Sequence, residues 1–203
     1  MNPDKAAAEL KIIRQLMERP IRFSAMSGLS GILAGGAALA GLALDWHISR
    51  THNVVEAFWF NLAVWAGVFL LAFASATLLT YLRERRQHMP FWTRMKWRIL
   101  RTLLPPFVAA AGLTVVIATR WYAGDGPNQW GLIPAVWMLF YGVACWQVAE
   151  FSIVELRLMS VAFLVLGLLS AAFFQYSPYL MLGLSFGGVH IVYGIAVWAR
   201  YGG

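Results

Sequence analysis

The chain has 203 residues, enough for one or two soluble domains, yet 60% are hydrophobic and 12% charged, against about 45–50% and about 25% in soluble domains. That imbalance excludes an ordinary soluble fold and points to lipid as the solvent. Cys145, the one cysteine, excludes an internal disulfide and a cysteine-rich metal site, and the net charge of +7 is spread over short segments between apolar runs, which fits bilayer orientation better than nucleic-acid binding.

Residues 1–22 hold no spanning run. Leu10, Ile13, Leu16 and Met17 share one side of a predicted helix that opens near Pro3 and Asp4 and stops near Pro20. This is expected to be a cytoplasmic interfacial helix lying against the bundle or the membrane surface. Residues 23–203 then form one transmembrane domain with six apolar runs: Phe23–Leu44, Ala57–Tyr81, Leu103–Trp121, Trp130–Ala149, Leu158–Phe174 and Tyr179–Ala199. Each is near the roughly 20 residues that a helix needs to cross about 30 Å of hydrocarbon. The first run begins late and is followed by LALDWHISR rather than a small-residue cleavage site, so it is expected to stay in the protein as a span. The fold expected is all-α and polytopic, with six transmembrane helices and two interfacial amphipathic helices.

Charge placement sets the orientation. Lys5, Lys11, Arg14, Arg19 and Arg22 precede the first span, and Arg83, Arg85, Arg86, Arg94, Lys96, Arg98 and Arg101 lie between spans two and three. With six spans, Arg157 and Arg200 join the same side, leaving Arg50 and Arg120 opposite. Both termini are therefore expected in the cytoplasm. Trp46, Trp59, Trp121 and Trp130 then fall near the outer boundary, and Trp92, Trp97, Trp146 and Trp198 near the inner one, as an aromatic belt.

The basic connection, residues 82–102, divides at Pro90. Beyond it Phe91, Trp92, Met95 and Ile99 recur at helical spacing among basic residues, so an in-plane amphipathic helix is expected, presenting Arg94, Lys96, Arg98 and Arg101 to anionic lipid. Pro105 and Pro106 are expected to bend the chain between this surface helix and span three.

Small residues mark the first and last spans. Gly31 and Gly35 lie four apart in span one, as do Gly183 and Gly187 in span six, and both pairs are assigned to close helix packing. His190 sits about midway along span six, where an imidazole needs a hydrogen-bonding or metal partner, and Tyr193 follows on roughly the same face. Together with Ser27, Ser30 and Asn61 they make a candidate polar path through spans one, two and six. Between spans one and two, Asp45, His47, His52 and Glu56 are a candidate metal set, although their spacing matches no specific motif. Haem across a bundle normally uses two axial ligands, and no second histidine occurs within another span. The sequence therefore requires no cofactor, and it holds no HExxH, nucleophile elbow, phosphate-binding loop or dinucleotide fingerprint.

IRQLMERPIRFSAMSGLSGILAG near one end and FGGVHIVYGI near the other resemble uncharacterised bacterial six-helix inner-membrane proteins. The resemblance implies a multi-pass protein of the bacterial inner membrane and brings no assigned chemistry. Three functional readings compete. The first is a small transporter or channel using the polar path; parity permits two inverted three-span halves, though the halves show no residue-level copy. The second is a noncatalytic scaffold or sensor binding a cytoplasmic protein or anionic lipid, and the third, with least support, is a haem- or metal-binding membrane enzyme. Expected partners are membrane lipids, a cytoplasmic protein or a second copy of the chain, and not nucleic acid.

Overall fold

A computed structural model describes residues 27–88, 91–122, 129–173 and 178–201, apart from the side chains of residues 121–122. The interfacial helix expected over residues 1–22 lies outside them. Within the described residues the chain is all-helical, and six helices are long and apolar enough to cross a membrane. It is a multi-pass membrane protein.

Helix α1 (Gly28–Thr51) starts where Ser27 accepts a hydrogen bond from the Ser30 amide, satisfying one of the donors that every helix start leaves open. A two-residue connection follows. The Asn53 side chain then caps α2 (Val54–Arg86) by accepting from the Glu56 amide, with the Glu56 carboxylate in the favoured first turn. At 33 residues, α2 is about 50 Å long at the usual rise. It outruns the hydrocarbon and carries Arg83, Arg85 and Arg86 in its last turn, where cations suit the helix dipole.

Helix α3 (Arg94–Tyr122) departs from the expected division into a surface helix and a span. It runs unbroken through Pro105 and Pro106. The two prolines deprive the Arg101 and Thr102 carbonyls of their helical donors, but these carbonyls lie among the basic residues near the water boundary, where such a loss is tolerated. The amphipathic segment is thus the first turns of span three.

Helices α4 (Leu132–Ala149) and α5 (Val154–Phe173) follow. The sixth span is composite: α6 (Pro178–Leu182), a π-helix (Gly183–Val189) and α7 (His190–Tyr201). Neighbours in sequence are neighbours in space for most of the ring. α1 packs on α2 and on the sixth span, α3 on α4, α4 on α5, and α5 on the sixth span. Between α2 and α3 the link is thinner, through Phe69 against Phe107 and an ion pair described below. Loop contacts such as Arg98 on Phe151 gather the basic residues at one end of the bundle, and Asn61 on Ser49 and Phe58 on Trp130 tie the far end.

The tightest seam joins α1 to the sixth span. A Cβ placed on Gly28 would lie 2.5 Å from the Gly194 carbonyl oxygen, one on Gly31 2.9 Å from the Gly194 Cα, and one on Gly35 2.7 Å from the Gly187 oxygen. Backbone meets backbone there, which only glycine permits. α4 and α5 interlock differently, with Leu164 seated on Gly142 and Leu139 on Gly167, and with the Ser160 hydroxyl donating to the Gly142 carbonyl at 3.0 Å.

Candidate functional site

The five residues of the candidate path occupy three separate places. Ser27 and Ser30 are buried at the start of α1 and bond each other, the Ser30 hydroxyl donating to the Ser27 carbonyl at 2.7 Å. Both are satisfied locally. Gly28, Gly31 and Gly35 close the seam beside them, so polar side chains from α1 and the sixth span do not face one another across it.

His190 turns away from α1. It is 5% exposed, and its Nε2 lies 2.8 Å from the Tyr141 hydroxyl of α4. The ring sits in an aromatic box, with Phe163 edge-on at 5.3 Å, Tyr141 at 5.3 Å and Phe186 stacked at 6.0 Å. The π-helix explains the aim of the ring, because its wider turn rotates the residues that follow relative to an α-helical register. Nδ1 is buried near the Ser185 and Phe186 carbonyls, without a well-aligned hydrogen bond. Tyr193 is buried one turn further on within the apolar core. This centre is buried and closely packed, and the Tyr141 hydroxyl holds the ring.

Asn61 belongs to a different network at the far end, one residue of which was placed by the sequence in the metal set. Asp45 is 7% exposed although it is an acid in a spanning helix. Its Oδ2 accepts from the Trp65 indole N–H at 2.7 Å, and its Oδ1 accepts from the Ser49 hydroxyl at 3.3 Å. Ser49 in turn accepts from the Asn61 amide nitrogen at 2.9 Å, and Tyr179 of α6 stands beside both Ser49 and Asp45. The Asn61 Oδ1 atom is buried without a donor. Three spans thus converge on one carboxylate, whose hydrogen-bonding neighbours Trp65, Ser49, Asn61 and Tyr179 are all neutral.

The other members of the metal set do not join Asp45. His47, His52 and Glu56 are exposed, and His52 Nδ1 lies 2.9 Å from the Thr51 hydroxyl. Among the described residues no group of three or more His, Cys, Asp or Glu side chains comes together to hold a metal ion. The structure places the packing glycines at helix contacts: Gly31 and Gly35 in the α1 seam, Gly187 against Leu39 and Gly183 against Leu42.

The four basic residues of the connection also divide. Arg94, Arg98 and Arg101 share one face of α3 with Trp97 and Thr102, bordering an open groove of about 380 Å³. None of the three arginines pairs with a carboxylate among the described residues. Arg98 lies over the Phe151 ring and Arg101 over Trp97, so their stems are held while the guanidinium edges stay available. Lys96 faces inward instead. It bonds Glu84 of α2 in an ion pair whose side chains are 12% and 6% exposed, donates to the Phe91 carbonyl, and sits over the Phe91 ring.

Trp65, Ser49, Tyr179 and Glu84 were missing from the candidate residues. A tryptophan or tyrosine in a span reads as boundary or core, and no spacing within one helix reveals a partner on another. A carboxylate such as Asp45 within six residues of a helix end reads as hydrated until its burial is known. Comparison with family models, curated proteins and solved structures yields no match.

Proposed function

We propose that this protein is a noncatalytic membrane scaffold that gathers anionic lipid headgroups on the Arg94, Arg98 and Arg101 face of α3. In this reading both termini are cytoplasmic and the membrane is the bacterial inner membrane. The observation that carries it is the unpaired arginine face, with Trp97 and Thr102 on the same side, set where an otherwise apolar helix begins. Guanidinium groups bind phosphate through paired N–H donors, and tryptophan rests at headgroup depth. A conduit has less support, because Ser27, Ser30, Asn61, His190 and Tyr193 lie in three separate places and glycine contacts close the α1 seam.

The test is native mass spectrometry of the full chain extracted from mixed phosphatidylglycerol and phosphatidylcholine. The wild type retains phosphatidylglycerol selectively, and the Arg94→Gln/Arg98→Gln/Arg101→Gln variant loses that selectivity while remaining folded. Equal retention by the two proteins contradicts the proposal.

A further inference from the structure

The arginine face carries more than attraction of a single negative headgroup requires. Arg94, Arg98 and Arg101 stand at intervals of four and three residues, so they form one stripe along about 10 Å of α3. With Trp97 and Thr102 they line the groove of about 380 Å³, which therefore gathers three positive charges and no negative one from its own walls. One phosphodiester brings a single negative charge and two free oxygens, which one guanidinium fork matches. A single such group leaves two of the three charges unbalanced.

Two of the forks are braced in different places. The Arg98 guanidinium lies 4.1 Å over the Phe151 ring, in the connection between α4 and α5, whereas Arg101 lies 5.5 Å over Trp97 on its own helix. Stacking on separate rings presets the two planes independently, which suits two phosphates better than one. Beyond the charges the same stripe continues as Pro105, Val108, Gly112 and Val115, all exposed. A Cβ added at Gly112 meets nothing within 4 Å. The charged groove thus opens onto an apolar track with room for acyl chains, which marks its occupant as a lipid rather than a free phosphate.

On the reading that this face gathers headgroups, we propose that its ligand is a lipid with two phosphodiesters in one headgroup, of the diphosphatidylglycerol class. One phosphate meets Arg98 and the other Arg101, Arg94 supplies the third positive charge at the start of the helix, and the chains run along the track past Val108 and Val115. Once the first phosphate is held, the short bridge makes the second contact intramolecular. One doubled headgroup therefore outcompetes two separate single-phosphate lipids.

Native mass spectrometry of the full chain tests this by competition, in phosphatidylcholine, between diphosphatidylglycerol and phosphatidylglycerol at equal total phosphate. Phosphatidate is a third competitor, because its single phosphate approaches the charge of the doubled headgroup. The wild type is expected to retain one diphosphatidylglycerol per chain, preferred about tenfold or more over either of the others. Arg98→Gln and Arg101→Gln each lower that preference to about twofold or less. Both variants still retain phosphatidylglycerol over phosphatidylcholine, which shows a folded groove. Equal retention of diphosphatidylglycerol and phosphatidylglycerol by the wild type, or of diphosphatidylglycerol and phosphatidate, overturns the two-phosphate assignment and leaves the headgroup reading standing. A preference unchanged in both Arg98→Gln and Arg101→Gln also overturns it. No preference of the wild type for any of these lipids over phosphatidylcholine overturns both.

Discussion

The two sides of the helix ring are built on opposite terms. Between α1 and the sixth span, Gly28, Gly31, Gly35, Gly187 and Gly194 let backbones touch along several turns. Between α2 and α3 the contact is a ring pair, Phe69 with Phe107 at 5.6 Å, and the Glu84–Lys96 ion pair at the basic end. Lipid tails are as apolar as the helices, so burial of hydrocarbon does not distinguish a helix neighbour from lipid. Close approach holds the first side, and polar contact near the water boundary holds the second.

That comparison is broken most severely at the glycine seam. Gly194→Leu forces side-chain atoms into the α1 backbone, where a Cβ alone already lies 2.6 Å from the Gly28 oxygen and the Ile32 nitrogen. The expected loss is more than about 3 kcal/mol, seen as failure to refold or a large drop in unfolding temperature in detergent. On the other side, Glu84→Gln strands the Lys96 charge, at a cost of about 3 kcal/mol. Glu84→Gln/Lys96→Met recovers most of it, measured by the same unfolding assay as a double-mutant cycle.

Tyr141→Phe has a smaller effect. It removes the one side-chain hydrogen bond to His190 while keeping the ring contacts with Phe163 and Phe186, so about 1–2 kcal/mol is expected. The smallest effects sharpen the contrast between glycines. Gly67 in α2 and Gly112 in α3 have nothing within 4 Å of an added Cβ. Alanine there is neutral or stabilises by up to about 1 kcal/mol through helix propensity, whereas Gly194→Ala destabilises. Equal responses at Gly67 and Gly194 would remove the distinction between the two sides.

The spans were legible because length and hydropathy decide whether a helix crosses a bilayer, and the six apolar runs correspond to the six spanning helices. Helix continuity was harder to read. Arg83, Arg85 and Arg86 extend α2 past its apolar run because charge does not stop a helix at the water boundary, and Pro105 and Pro106 did not separate the amphipathic turns from span three. The polar groups were visible individually, but their partners were not. A span that is apolar all round carries no stripe to mark its inner face, so neither His190 with Tyr141 nor Asp45 with Trp65 follows from spacing. The composite sixth span adds to this, since its π-helical turn shifts the register of the residues that follow it.

The polar groups form separate stations rather than one route through the bundle. Cysteine accessibility tests it most directly, using a membrane-impermeant thiol reagent on Cys145→Ala protein carrying a single cysteine at position 49, 185 or 190. Rapid labelling of Ser49→Cys is expected, with no labelling of Ser185→Cys or His190→Cys from either side of the membrane. Labelling at position 185 or 190 in a folded protein would reveal water reaching the aromatic box and a route joining the separate polar groups.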